Sequence, residues 1–385
     1  MDKKITQDIN NAVEHFRKML IEQYERNESI AKASHGNQHT EGHVVIGLVP
    51  GDGIGPVIMD ETRAVLEQLL ADEIKTGSIE LKDITGFTIE ERLAKQQTVP
   101  DDVLKQIEEC DVILKGPTTT PNASMGGPNL ESANVFLRKK LDLFANVRPV
   151  KVPEQHIDWT FFRENTEGEY ALGSKGVKIG DELAVDFKVT TNAGTKRIAR
   201  AAYEYARNNG KKKVSIVTKA NIMKKTDGDF QSICLDIAKE YPEIETDTWF
   251  IDIMAANLVN KDIRSQFEVF VLPNLYGDII TDEAAQIQGG VGTAGSANIG
   301  SRYAIFEAIH GSAPRMVEEG IAHLANPASL MTASVLMLRH LGMDEKAGKL
   351  ERAVEMANSD LGRKMTGQQG GATCKAFGSM VRNVL

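Results

Sequence analysis

Val44-Val45-Ile46-Gly47-Leu48-Val49, followed at once by Pro50-Gly51-Asp52-Gly53-Ile54-Gly55-Pro56, is the stretch that decides the fold class. The first six residues are an apolar, β-branched run with the composition of a buried strand. The glycines that follow invite comparison with a dinucleotide-binding turn. That turn needs Gly-x-Gly-x-x-Gly, so that the chain can bend, approach a pyrophosphate and pack a helix on the strand. Here the glycines fall at 51, 53 and 55, and Pro56 stands where the third is required. A Rossmann domain is disfavoured. No Walker A loop occurs elsewhere.

Outward from this point strands and helices alternate. Asp111–Leu114, Lys213–Val217 and Phe267–Leu272 have strand composition, and helices are expected at Ile198–Asn208 and Ala328–His340. The pattern predicts an α/β protein with substantial parallel sheet. Upstream, Ile5, Ile9, Val13, Phe16 and Leu20 recur at helical spacing and predict an amphipathic helix. The polar stretch Ala33–Thr40 then reads as a linker. Residues 1–42 therefore form an N-terminal helical extension, either a docking or oligomerisation arm or a helix packed on its own chain.

The 385 residues carry a net charge of -9, which gives no support to a nucleic-acid partner. An acidic chain that binds an acidic substrate must gather its arginines locally. Cys110, Cys234 and Cys374 have no metal-ligand spacing and are expected as reduced, buried thiols. No run of about 20 apolar residues is present to span a membrane. The N-terminus lacks an apolar signal core and carries Asp2, Asp8, Glu14, Glu22 and Glu25, unlike a transit peptide. A cytoplasmic location is expected.

Three groups of residues carry chemistry. Arg138, Arg148 and Arg163 lie within a short span of this acidic chain, and guanidinium forks clamp carboxylates bidentately. Any single arginine more often makes an ordinary surface ion pair. Asp278 and Asp282, in Asn274-Leu275-Tyr276-Gly277-Asp278-Ile279-Ile280-Thr281-Asp282, sit four residues apart between a strand and a helix, so they share one helical face. A hard divalent cation with oxygen ligands would relieve their repulsion; a first helical turn enriched in acids fits equally well. His310, in Glu307-Ala308-Ile309-His310-Gly311-Ser312-Ala313-Pro314, follows the glycine-dense run Gly289–Gly295. A histidine there stacks on a ligand or simply completes local hydrogen bonding.

Taken in order, these motifs resemble the isocitrate and 3-isopropylmalate dehydrogenase family from about Val45 to the C-terminus, most of all its isocitrate dehydrogenases. The resemblance implies a two-domain, non-Rossmann α/β fold. The large cofactor-binding domain would comprise 43–143 plus 289–385. The small domain would comprise 144–288, with a dimer-forming clasp near 171–190. It implies a homodimer or larger homo-oligomer with active sites shared between subunits. By the same resemblance Arg138, Arg148 and Arg163 hold the substrate's carboxylates. Asp278 and Asp282 are metal ligands from one subunit, and Asp252 is the ligand lent by the partner. Lys219 is the partner-donated lysine beside the substrate hydroxyl, and Tyr170 protonates the product enol. His310, Gly311, Ala313 and Asn326 surround the adenosine, and Thr119 and Thr120 lie near the nicotinamide.

The implied reaction oxidises a hydroxy-polycarboxylate with a nicotinamide cofactor and Mg2+ or Mn2+, expelling CO2; for isocitrate this is a step of the tricarboxylic acid cycle. Ser132 and Asn134 match the positions facing the variable substituent of the substrate. A Ser-x-Asn pair suits the third carboxylate of isocitrate rather than an isopropyl group, because a buried polar pair left unpaired penalises an apolar substrate. Homoisocitrate and 3-isopropylmalate are the alternative substrates. A non-catalytic regulatory subunit is the alternative of a different class, and it is disfavoured because Tyr170, Lys219, Asp252, Asp278 and Asp282 are all present. NAD-using relatives place an acid just after His-Gly-Ser-Ala-Pro; Arg315 and Met316 stand there instead. An arginine suits a 2'-phosphate and accepts no hydrogen bond. Arg363 falls near a second phosphate-binding position. NADP is therefore expected over NAD.

Overall fold

The computed structural model describes residues 3–32, 42–121, 130–290 and 292–385. The expected linker Ala33–Thr40, the loop just after Pro121 and Val291 of the glycine-dense run lie outside the described residues. In chain order the strands are β1 (Val44–Val49), β2 (Ile79–Asp83), β3 (Val112–Lys115), β4 (Ala145–Val152), β5 (Ile157–Glu164), β6 (Val177–Ile179), β7 (Leu183–Val185), β8 (Lys213–Thr218), β9 (Glu245–Phe250), β10 (Val269–Leu272), β11 (Gly295–Ile299) and β12 (Ala304–Ala308). The expected strands and helices are present. β10 begins at Val269 rather than Phe267. The Glu268 carboxylate is occupied in accepting the backbone N–H of Lys213 at 2.9 Å, beside the start of β8.

The chain forms two compact units. One holds residues 1–35, 144–146 and 150–284; the other holds 36–143, 147–149 and 285–385. In the first unit the order is β5-β10-β8-β9, and each neighbouring pair is parallel. Parallel strands need helical crossovers and are buried on both faces. β10 accordingly reads Val-Phe-Val-Leu, buried throughout. Phe161 of β5 and Phe270 of β10 stack with centroids 4.3 Å apart, and Trp159 meets both edge-on. The crossover helix Asn192–Asn208 starts on Thr191, whose hydroxyl accepts the Gly194 N–H, a side-chain N-cap. The antiparallel hairpin β6-β7 belongs to the same unit.

In the second unit the order is β2-β1-β3-β12-β11. β1 pairs in parallel with β2 and β3, β3 pairs in parallel with β12, and β11 and β12 are antiparallel. Helix Ala328–His340 packs on this sheet, and helices Gly55–Leu69, Asp344–Leu361 and Cys374–Val384 join it in one apolar core that includes Ile46, Leu48, Phe306 and Phe377. The three cysteines are free and buried, as the sequence predicts. Among the described residues no helix is long and apolar enough to cross a membrane.

The N-terminal helix, Lys3–Lys32, packs on its own chain, against β6 and the helix Asn192–Asn208. The apolar spacing predicts its helicity correctly. Only Met19 becomes fully buried, however, and Val13, Leu20 and Tyr24 stay exposed.

Candidate active site

In open parallel sheets, ligand-binding residues gather beyond the carboxyl ends of the strands. In the first unit Arg163 lies at the end of β5, Lys219 just past β8, Asp252 just past β9, and Asp278 in the first turns of the helix that follows β10. Because these strands are parallel, their carboxyl ends lie on one edge of the sheet.

Arg163 is 1% exposed and fixed from two sides. Its Nε donates to Asn274 Oδ1 at 2.8 Å, and its terminal nitrogen makes a short charged bond with Asp278. Tyr170 donates its hydroxyl to the other Asp278 oxygen at 2.5 Å, and the Arg163 guanidinium lies 5.1 Å from its ring centroid, a cation–π contact. One aspartate thus ties the expected carboxylate clamp to the expected proton donor. Asp282, one turn on, is exposed. Lys219 pairs with Asp252 at 2.5 Å, and Asp227 accepts the Lys219 backbone N–H at 2.7 Å. The Lys219 side chain holds the Asp252 carboxyl below its ordinary range.

Sequence reasoning missed Asn274, Glu164 and Glu167. Glu164 accepts the Thr166 and Glu167 amides and the Thr166 hydroxyl, and Glu167 accepts the Thr191 amide and hydroxyl. Nothing in Arg163-Glu164-Asn165-Thr166-Glu167-Gly168-Glu169-Tyr170 marks these two acids as buried. Burial pushes the Glu164 carboxyl up to about 7, the nearby Glu167 charge adds to this, and Thr166 and Arg26 oppose it. A carboxyl raised in the folded state stabilises fully below its ordinary value near 4.5, and that stabilisation is lost as pH rises through 7. Chemical denaturation at a series of pH values is expected to show stability falling between about pH 4.5 and 8. Glu164→Gln is expected to flatten that slope.

In the second unit Arg138, on the helix Ala133–Lys140, pairs with Glu307 of β12 at 3.1 Å. Glu307 also pairs with Lys115 of β3 at 3.0 Å and accepts from Asn298 at 2.8 Å. Burial alone would raise the Glu307 carboxyl, but Lys115 and Arg138 outweigh it and hold it at about 2. Asn134 accepts the Thr118 hydroxyl at 3.0 Å, so Thr118 joins the expected Ser132–Asn134 pair. Ser132 precedes the helix without capping it through its side chain. Arg148 is buried in β4.

The Gly-rich turn after β1 is a backbone junction. A Cβ at Gly51 would collide with the Pro117 carbonyl, and one at Gly53, where φ is +63°, with the Ser312 carbonyl. Asp52 accepts the amides of Ile89 and Thr119, each at 2.7 Å, and Thr119 and Ser312 hydroxyls pair at 2.7 Å. The turn therefore braces the Thr119 and Ser312 loops, and Asp52 is its buried anchor. Thr120 is exposed beside it.

His310 follows β12. Burial lowers its pKa against the opposing Gly311 carbonyl. Its Nε2 is buried without a partner, and open space surrounds the Gly311 Cα. Ala313 adopts φ +45°, a left-handed conformation uncommon outside glycine, and Asn326 accepts the Ala328 N–H at 3.0 Å. An orphaned ring nitrogen, an open glycine and a strained turn together fit a ligand such as the adenosine end of a nucleotide. Arg315 is 85% exposed, paired with Glu319 at 2.6 Å. Such an exposed pair is weak, which leaves the guanidinium available to an incoming phosphate. Met316 is half-buried on the same helix and packs towards Gly367, on the loop that follows exposed Arg363.

The donor set fits a hard divalent cation in its chemistry. Asp278 and Asp282 present carboxylate oxygens on successive helical turns, the donor type such a cation takes. Among the described residues no three potential ligands of one chain are gathered.

A family model described as isocitrate/isopropylmalate dehydrogenase matches residues 45–381. The chain is 41% identical over 320 residues to the isocitrate dehydrogenase [NADP] of Rickettsia prowazekii, covering 80% of this chain and 62% of that protein. It thus spans less than two thirds of the length of that relative. It is 38% identical over 346 residues to the mitochondrial isocitrate dehydrogenase [NAD] subunit alpha of Macaca fascicularis, covering 88% of this chain and 94% of that one. Among solved structures it is similar to isocitrate dehydrogenase from Methylococcus capsulatus, with a TM-score of 0.76, 35% identity, and 89% and 99% of the two chains covered. Motifs, fold and sequence likeness converge: the chain belongs to the isocitrate/isopropylmalate dehydrogenase family.

Proposed function

We propose that this chain is an isocitrate dehydrogenase, converting isocitrate to 2-oxoglutarate and CO2 while reducing NADP, in a homodimer or larger homo-oligomer with shared active sites. The observation that carries the reading is Asp278 gripped at once by Arg163 and by the Tyr170 hydroxyl. That arrangement couples a carboxylate clamp, a metal ligand and a proton donor in one hydrogen-bonded set. The relatives named isocitrate dehydrogenase support the substrate.

Arg138, Arg148 and Arg163 neutralise the substrate's carboxylates and fix its orientation. Lys219, supplied by the partner together with Asp252, relays the proton of the 2-hydroxyl. Asp278, Asp282 and the partner's Asp252 would hold Mg2+ or Mn2+, which would supply polarisation of the hydroxyl and ketone oxygens, and the nicotinamide would supply the hydride acceptor. The C–C bond to the β-carboxylate then breaks, CO2 departs, and the electron pair moves towards the carbonyl. Tyr170 returns a proton to the carbon. His310, Gly311, Ala313 and Asn326 hold the adenosine; Arg315, Met316 and Arg363 meet its 2'-phosphate end, and Thr119 and Thr120 flank the nicotinamide.

Steady-state kinetics of the isolated chain test this. With Mg2+, isocitrate is expected to give the highest kcat/KM among isocitrate, homoisocitrate and 3-isopropylmalate, and NADP to exceed NAD. A preference for 3-isopropylmalate would overturn the role given to Ser132 and Asn134. An inactive chain would favour a regulatory subunit. Arg315→Asp is expected to lower the NADP/NAD ratio of kcat/KM by about tenfold or more, the loss of a charge-assisted phosphate contact. An unchanged ratio would remove Arg315 from cofactor selection.

A further inference from the structure

The N-terminal helix reaches the candidate site through its final turns. Along most of its length the contacts are of an ordinary surface kind. Phe16 stacks on Phe187 at 5.3 Å, and Glu22 pairs with Lys175 at 2.6 Å, both half exposed. Arg26 differs. It donates to the Glu167 carboxylate at 3.0 Å and to the Thr166 hydroxyl at 2.8 Å, and next to it Asn27 accepts the Ala193 N–H at 3.0 Å. Glu167 and its neighbour Glu164 are 3% and 2% exposed. Two acids buried side by side are costly unless cations or donors answer them, and Arg26 brings a fork of charged donors to that pair.

From Glu167 the bonding runs on without a gap. The Glu167 carbonyl accepts from Asn274 Nδ2 at 2.9 Å. The same Asn274 side chain holds Arg163 Nε at 2.8 Å. Arg163 and Tyr170 both bind Asp278. Gly168, between Glu167 and Tyr170, turns at φ +70°, and a Cβ there would lie 3.2 Å from the Asn274 Cβ. The turn carrying Tyr170 is thus pressed against the residue that orients Arg163.

We infer that Arg26 is a positioning residue for the reaction: it fixes the turn from Thr166 to Tyr170 and, through Asn274 and Arg163, the pairing of Tyr170 with Asp278. The helix is then a working part of the site, which a merely stabilising appendage would not be. The rate readout rests on the isocitrate dehydrogenase reading; the exchange readout below does not.

Arg26→Ala, Arg26→Lys and Glu22→Ala are compared in the full-length protein. The measurements are kcat and KM for isocitrate with Mg2+ and NADP, melting temperature, and amide hydrogen exchange over residues 164–172. Arg26→Ala is expected to lower kcat about tenfold with little change in KM, an interaction felt in the transition state. It is also expected to speed exchange in that segment. Arg26→Lys is expected to recover much of both, and Glu22→Ala to alter neither. If Arg26→Ala does not fold, Arg26→Gln, which keeps a donor and drops the charge, is expected to give the same signs. Wild-type kcat and wild-type exchange in a destabilised Arg26 variant would reduce the residue to an anchor and overturn the inference. If the wild-type protein does not turn over isocitrate, the functional reading fails, while faster exchange over 164–172 in the variant still upholds the placement of the turn by Arg26.

Discussion

Tyr170→Phe is expected to lower kcat for isocitrate oxidation by about 10²–10⁴-fold, the usual contribution of a positioned general acid. The substitution removes one oxygen. The ring keeps its place against the Arg163 guanidinium, 5.1 Å from the centroid, and Asp278 keeps Arg163 as its partner. The fold therefore has little reason to respond, and the melting temperature is expected to stay close to that of the wild type. What disappears is the donor 2.5 Å from Asp278. In the proposed mechanism the hydroxyl acts after the hydride has left, so the first turnover of nucleotide reduction is expected to survive in stopped-flow absorbance, with the slow phase following it. Loss of the first turnover together with the steady state would place Tyr170 earlier in the reaction.

Glu307→Gln is expected to have the largest effect on stability, about 3–5 kcal/mol by urea denaturation, the cost of breaking a buried ion pair by removing one partner. Glu307 is answered by Lys115 at 3.0 Å and Arg138 at 3.1 Å. Lys115 is 2% exposed, so its charge has no solvent to turn to once the carboxylate is neutral. The wild type should show the same dependence on pH. A carboxyl held at about 2 contributes stability above its ordinary value near 4.5, and that contribution is lost as pH falls towards 2. Arg138 would lose its tether too, so kcat/KM for isocitrate is expected to fall along with stability. A variant as stable as the wild type would mean that Lys115 finds another partner.

Much of the fold was legible because its signals are local. The run Val44–Val49 is too apolar and β-branched to be anything but buried strand, and Pro56 alone removes the Rossmann turn. The helix Ala328–His340 begins and ends where its sequence says. In the candidate site Arg163 and Asp278 stand out by residue type and spacing, whereas Tyr170, Lys219 and Asp252 enter through the family resemblance; all five lie beyond strands of one parallel set. The supporting residues were not legible, since nothing in a sequence tells a buried carboxylate from an exposed one. Glu307 and Asp52 look like ordinary acids until Lys115 lies against one and two backbone amides point at the other. Asn274 stands 111 residues from Arg163, and only the pairing of β5 with β10 brings them together. Arg26 is further removed still, on a helix whose spacing predicts a face but not what meets it.

The site proposed here needs Tyr170 from one chain and Lys219 from another, and subunit complementation tests that most directly. Differently tagged Tyr170→Phe and Lys219→Met chains, each nearly inactive alone, are co-expressed and the mixed assembly is isolated through both tags. In a shared site, one half of each hybrid pair combines an intact Tyr170 with an intact Lys219, and isocitrate-dependent NADPH formation is expected to return. A hybrid as inactive as its two parents would contradict a site built from two chains.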